Sequence, residues 1–395
     1  MPVPPINDLN HWICEQQTAF LELLENLVNI NTFTANTAGV DCGMDVVCEY
    51  VERMGFHIEV IHSKHRLIKA GNGKGKRILL VAHMDTVHPP DGDFQVYTQQ
   101  GDFASGPGVG DIKAGLVMGL WTLLAMDQEN PDYNIQMVIS ADEELGSPSI
   151  QDWYAEGKSG ADYAICLEPG FPQGGLSPDV PIGIVKQRKG TGRVQFTIRG
   201  KAAHAGGAWE QGISAIEAMA QRIIKIHALS DLERGITTNV GIVNGGTAAN
   251  TIADSCKASV DFRYLTEKDG RETLDSIYEI INTPVIQRAG LDAQDYAEDV
   301  ELNVFMPPME YRPENQILLD TVLQEAARLG QVIVPIVRGG GSDANWISGS
   351  GIPVICGMGA AAEGIHTTEE RILLPLTFDR LELLIASVYR LVNQQ

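Results

Sequence analysis

The feature that most narrows the fold is a rhythm in which short aliphatic runs alternate with stretches of helical periodicity. "RILLVAH", "NIQMVISA" and "DYAICLE" are separated by "AGLVMGLWTLLAM" and by the stretch around "SIQDWYAEG". Such alternation builds a mostly parallel sheet with helices on both faces. Further helices are expected in "HWICEQQTAFLELLENLVNI", where Ile13, Phe20, Leu24, Leu27 and Val28 recur at helical spacing, and in "MDVVCEYVERMG". Near Gly190 the texture changes to period two, with Val194, Phe196 and Ile198 alternating with polar neighbours in "RVQFTIRG". The order then reads strand, helix "ISAIEAMAQRIIKIHAL", strands "TTNVGIV" and "KASVDFRYL", helix "RETLDSIYEIIN" and strand "VELNVFM". That is the β-α-β-β-α-β order of a ferredoxin-like unit. After Pro307 the first rhythm resumes with "NQILLDTVLQEAARLG", "QVIVPIV", "IPVICGMG" and "FDRLELLIASVYRLV". The expected fold is therefore α/β, with a helix-flanked sheet from residues 1–189 and 307–395 and an inserted α+β domain over residues 190–306. A chain of 395 residues suits two domains.

Composition removes several function classes. With 44% hydrophobic and 20% charged residues and no repeat, the chain reads as folded throughout. Its 51 acidic residues outnumber 29 basic ones, for a net charge of −22, a field that repels phosphate backbones and argues against nucleic acid as a partner. The opening "MPVPPINDLNHWICEQQTAF" has neither a basic start nor an apolar segment, and "GLVMGLWTLLAM" stops at Asp127. No membrane crossing and a cytoplasmic location are expected. Six dispersed cysteines without a CxxC pair read as small buried hydrophobes.

In sheets of this kind ligands sit beyond the carboxyl ends of the strands. Those ends collect His83 and Asp85 after "ILLVA", Glu143 and Glu144 after "MVISAD", and Glu168 after "YAICL", with His366 in "GIHTTEE". Asp111 closes the glycine-rich "GPGVGDIKAG" and opens a helix, so an N-cap is its competing reading. Crowded carboxylates repel one another, and a divalent cation removes that repulsion. Imidazole and carboxylate together suit zinc or a similar ion, and this many ligands suggest two ions about 3.5–4 Å apart with a bridging carboxylate. Residues two apart on a strand face the same way, so Asp85 is expected behind His83, accepting its remaining ring N–H. His88, in "VHPP", lies beyond the strand and reads as a loop residue.

These motifs resemble the co-catalytic zinc peptidase family of glutamate carboxypeptidase, acetylornithine deacetylase, succinyl-diaminopimelate desuccinylase and the aminoacylases. "HMDTV", "GPGVGDIKAG", "DEELGS", "LEPG", "GKAAHAG" and "GIHTTEE" look like its signature blocks, in the family's order and over nearly the whole chain. The resemblance implies that Asp111 bridges both metals, that His83 and Glu168 complete one site, and that Glu144 and His366 complete the other. Glu143 then becomes the general base, a role the chemistry also demands, because an activated water needs a nearby carboxylate to take its proton. His204 resembles the histidine that reaches a neighbouring subunit's site and steadies an oxyanion, which implies a homodimer through the inserted domain. Asn250 in "NGGTAANTIAD" and Arg263 in "VDFRY" resemble lid residues that hold a substrate carboxylate. A cross-strand ion pair is the competing reading for Arg263. "RGGGSDA", centred on Gly340, resembles the segment lining the substrate pocket.

Aminopeptidases of the family tend to have aspartate where this chain has Glu168. The expectation is hydrolysis of an amide in a small peptide or N-acyl amino acid, releasing a C-terminal amino acid such as glutamate. Two divalent ions serve the reaction, zinc first, with cobalt or manganese as substitutes. An N-acyl-amino-acid deacylase is the alternative, and a non-catalytic binder a third reading.

Overall fold

Strand Arg77–His83 is buried along its length except at Arg77, which is half-buried, so both of its faces are covered. This explains why it reads as a continuous aliphatic run with no alternation. The computed structural model describes residues 9–128, 132–288, 291 and 293–393. The chain forms two compact units, Met1–Gln187 with Tyr311–Arg338 and Ser342–Gln395, and Arg188–Glu310 with Gly339–Gly341.

The first unit contains a six-stranded sheet in the order His57–Ile61, His65–Ala70, Asn134–Ser140, Arg77–His83, Tyr163–Cys166, Val354–Ile355. Its last four strands run parallel, with Ile78 opposite both Ile135 and Tyr163. The first two form an antiparallel hairpin on the edge, which the strand rhythm did not announce. Phe20 of helix Leu9–Val28 ties the helical layer together, meeting Trp121 and Phe378 edge-on at 5.4 and 5.3 Å. Those two rings belong to helices Ala114–Asp127 and Leu374–Val392. The stretch Val109–Asp127 is longer than the apolar run legible in the sequence, since the turn Val109–Lys113 continues directly into the helix. By length and composition it matches a membrane span, but 94% of its apolar window is buried, so it is the core helix of this unit.

The second unit has a four-stranded antiparallel sheet in the order Thr237–Gly245, Ser255–Tyr264, Gly190–Arg199, Tyr296–Met306. Alternate residues of Ser255–Tyr264 are buried, the period-two pattern expected of a sheet covered on one face. Helices Ala215–His227 and Glu267–Asn282 begin at Ser214 and Thr266, whose side chains accept the N–H of Glu217 and Asp269. Inside this unit Arg222 pairs with Asp295 at 2.6 Å, both fully buried, and Arg222 also donates to the carbonyls of Ala218, Ile281 and Thr283. A buried cation is tolerated only with such saturation.

Candidate metal centre

Strand ends and two loops of the first unit bring six side chains to one place. His83 is the last residue of its strand, Glu168 follows Tyr163–Cys166, and Glu143 and Glu144 sit in the turn after Asn134–Ser140. Asp111 comes from the turn Val109–Lys113. His366 comes from the loop between Ala362–Glu363 and Arg371–Leu373, at φ 64°, a left-handed conformation that a histidine seldom adopts.

Asp111 stands between the two imidazoles. His83 Nε2 lies 3.3 Å from Asp111 Oδ1, and His366 Nε2 lies 3.2 Å from Asp111 Oδ2. His366 Nε2 is also 3.4 Å from Glu144 Oε2, while His83 Nε2 is 3.9 Å from both Glu168 Oε1 and Glu143 Oε2. Donors bound tetrahedrally at about 2.0–2.1 Å from a zinc ion are about 3.4 Å apart, so the closer pairs have the spacing of atoms that share one ion. His83 Nε2, Asp111 Oδ1 and Glu144 Oε1 are buried and have no hydrogen-bond partner among the described residues. An unsatisfied buried polar atom costs about 1–3 kcal/mol, and three gathered in one cluster of donors fit cations bound within it. The donor groups His83, Asp111, Glu144 and His83, Glu143, Glu168 each lie within 4.8 Å of one another.

Charge tells the same story. Burial pushes the Glu143 carboxyl well up, reinforced by Glu168, and burial with the neighbouring Asp111 charge lifts Glu144 to about 7. Hydrogen bonding to Asp111 raises His366 to about 9. Burial opposes a charge on His83, but Asp111, Asp85 and Glu143 outweigh it and hold the imidazole well above its ordinary value. Burial likewise opposes the Asp111 charge, and the two histidines outweigh it. Without a cation, the cluster balances its carboxylates with protons.

Asp85 is arranged differently from the expectation. The strand stops at His83 and the chain turns, so His83 Nδ1 meets the backbone carbonyl of Asp85 at 2.9 Å, with the carboxylate at 3.4 Å. The fully buried carboxylate instead accepts the N–H of Glu143 at 3.0 Å, the N–H of Glu144 at 3.1 Å and the hydroxyl of Thr34 at 2.8 Å. It therefore holds the segment bearing both glutamates. Asp343 grips the same turn from another side, accepting from Ser140 at 2.8 Å, from Tyr154 at 3.0 Å and from Ser147. Trp346 Nε1 donates to the Gly146 carbonyl at 3.1 Å. Asp343 lies inside the quoted "RGGGSDA", yet its role depends on partners about two hundred residues away, which no local pattern signals. His88 is no mere loop residue: it is buried and bonded to Glu370 at 2.9 Å.

The remaining candidates belong to the second unit. His204 is exposed, and its Nδ1 accepts the N–H groups of Gly206 and Gly207 at 3.1 and 3.0 Å, which leaves the proton on Nε2. Asn250 lies beside it, its carbonyl accepting the N–H of Ala205 at 3.0 Å. Arg263 is engaged in an ion pair along its own strand rather than across strands: Nε and Nη2 take both oxygens of Asp261 at 2.8 and 3.0 Å, and Nη1 meets Thr191 Oγ1 at 2.5 Å. A residue two positions along the same strand already satisfies the geometry that was read as a substrate clamp. The Gly340 carbonyl accepts from Arg188 at 3.0 Å.

The profile of Peptidase family M20/M25/M40 matches residues 79–394, a span that contains the whole cluster. The chain belongs to that family. This family member is 29% identical to carboxypeptidase G2 of Pseudomonas sp. (strain RS-16) over 373 residues, 89% of this chain and 84% of that one. Its identity to acetylornithine deacetylase of Proteus mirabilis (strain HI4320) is 27% over 271 residues, 62% and 67% of the two chains. Among solved structures, aminopeptidase PepT from Bacillus cereus ATCC 10987 superposes with a TM-score of 0.79 at 25% identity, covering 95% of this chain and 98% of that one. Membership makes the M20 chain a hydrolase of the peptidase and amidohydrolase type, with its candidate metal-binding groups inside the matched span.

Proposed function

We propose that the protein is a two-metal amidohydrolase that releases a C-terminal amino acid, such as glutamate, from small peptides or N-acyl amino acids. The observation that carries the reading is the gathering of His83, Asp111 and Glu144 in one donor group, with His83 Nε2, Asp111 Oδ1 and Glu144 Oε1 all buried and without a hydrogen-bond partner among the described residues. His83, Asp111 and Glu168 would hold one ion, and Asp111, Glu144 and His366 the other, with zinc first and cobalt or manganese as substitutes. When bound, such ions supply Lewis acidity, making water a nucleophile near neutral pH and drawing charge from a carbonyl oxygen.

Glu143 remains outside both ligand sets. Its carboxylate, 3.9 Å from His83 Nε2, stands at the edge of the cluster, where it can take a proton from water and pass it to the leaving nitrogen. Asp85 keeps that group in place through the Glu143 N–H. His204 presents Nε2–H as a donor for a developing oxyanion, and Asn250 beside it is a candidate for the substrate carboxylate. We place the enzyme as a homodimer through its second unit. The edge strand Thr237–Gly245 exposes Ile242 and Val243, and helix Ala215–His227 exposes Ile216 and Ile224, an apolar edge that a second copy would cover. A cytoplasmic setting is part of the proposal, supported by cysteines that form no disulfide among the described residues.

The test is a panel of N-acyl amino acids, dipeptides and tripeptides on metal-loaded protein. Hydrolysis that requires a free C-terminal carboxylate and tolerates an N-acyl cap is the expected result. Activity confined to peptides with a free amino terminus favours the aminopeptidase reading that the likeness to PepT raises, and acylated ornithine as sole substrate favours the deacylase.

A further inference from the structure

The loop that delivers His366 also carries a second acid, Glu370. Strand Arg371–Leu373 pairs antiparallel with Phe103–Ser105, Arg371 opposite Ser105 and Ile372 opposite Ala104. This pairing lays the end of the His366 loop against the glycine-rich segment that leads to Asp111. Ser105 Oγ extends the ladder by donating to the Glu370 carbonyl at 2.6 Å. The Glu370 side chain is fully buried, and four donors converge on it. The N–H groups of Gly110 and Asp111 donate to Oε1 at 2.8 and 3.0 Å, and the N–H of Gly108 and Nε2 of His88 donate to Oε2 at 3.2 and 2.9 Å.

Successive backbone N–H groups turned toward one point make an anion-binding concavity, and here the protein fills it with its own side chain. The glycines permit the turn. Gly108 has φ 73°, and a Cβ on Gly110 would stand 2.4 Å from that of Ala362. His88 is fixed in turn, its ring meeting Phe94 edge-on at 5.1 Å and its carbonyl accepting from Asn31 at 3.1 Å. Asp111 and His366 are brought within 3.2 Å of each other from two loops that are distant in sequence. Glu370 is the residue that joins those loops, as a neighbour of His366 on one side and an acceptor for Asp111 N–H on the other.

We infer that Glu370, with His88 as its fourth donor, is a positioning residue for the metal pair, setting Asp111 against His366 and so governing the ion that these two share with Glu144. This rests on the ligand assignment proposed above. Glu370→Gln keeps the shape but turns an amide N–H2 toward Gly108 and His88, where an acceptor is needed. His88→Leu removes one donor alone, and His88→Gln restores one.

The experiment strips the full chain with chelator and titrates it with zinc against a competing chelator, with melting temperatures of the stripped proteins recorded alongside. Wild type binds two ions. In Glu370→Gln the ion held with His366 weakens about 10–100-fold, as expected when a partner that orients a ligand is lost, and the ion held also by His83 and Glu168 weakens less. His88→Leu shows the same split to a smaller degree, and His88→Gln recovers it. The His88 pair carries the test alone if Glu370→Gln does not fold. Two wild-type affinities in these variants, even with a lower melting temperature, overturn the inference. No zinc uptake by wild type overturns the ligand assignment, and the positioning role with it.

Discussion

Replacing Asp85 with alanine probes whether one buried acid organises the turn that bears Glu143 and Glu144. The substitution removes the acceptor of two backbone N–H groups at 3.0 and 3.1 Å and of the Thr34 hydroxyl at 2.8 Å. Hydrogen bonds to a charged group contribute about 1.5–3 kcal/mol each, so three give roughly 5–9 kcal/mol gross. Removing a fully buried carboxylate also relieves several kcal/mol of desolvation, which leaves a net loss of about 3 kcal/mol. Asp85→Asn retains one oxygen and should lose about half of that. The sign with pH follows from the carboxyl's lowered pKa: burial raises it, but His83, Thr34 and the Glu144 N–H outweigh burial. The contribution is present above the ordinary aspartate value of about 4 and fades as pH falls through the lower folded value. Urea unfolding of chelator-stripped protein at pH 7 and at pH 3, followed by tryptophan fluorescence, measures the difference. A glutamate displaced by about 1 Å also loses about 100-fold in turnover. Stability within about 0.5 kcal/mol of wild type, together with unchanged turnover, would refute the reasoning.

Glu143→Gln should keep both ions and lose about 10²- to 10⁴-fold in kcat, a split that elemental analysis and steady-state kinetics resolve together. In the ion-free chain, Glu144 near 7, His366 near 9 and the raised His83 hold protons that a cation must displace. Zinc loading at pH 7 therefore releases protons, and affinity rises with pH over that range; calorimetry in buffers of different protonation enthalpy reads this, and a buffer-independent heat contradicts it. His65 accepts the Ala141 N–H on Nδ1 at 3.1 Å and meets Ser149 through Nε2 at 2.8 Å, and burial lowers its pKa to about 4. Its unfolded form takes up a proton first as pH falls, so stability declines between about pH 6.5 and 4 by at most about 1.4 kcal/mol per unit, a slope that His65→Gln should flatten.

Much of this architecture was legible because the signals are local. Buried parallel strands must be apolar on both faces, as in Arg77–His83, and their polar ends stand out against that run. The inserted unit declared itself through period two, and its observed strand order is that of the ferredoxin-like arrangement. What could not be read depends on pairing across distance. The hairpin His57–Ala70 carries histidines, lysines and an arginine that break up the aliphatic run which marks the central strands. Nothing near His88 announces a bond to a residue 282 positions away. The direction of the Asp85 carboxylate followed from where the strand stops, and the Arg263 fork closed on Asp261 because the two lie two apart on one strand and so project from the same face.

Metal content tests the central claim most directly. Chain stripped with chelator, reloaded with zinc and freed of excess should carry two ions in wild type and in Glu143→Gln, about one in His366→Ala, and fewer still in Asp111→Ala. Wild-type protein that retains no ion after loading, or an Asp111→Ala variant that still holds two, would contradict it.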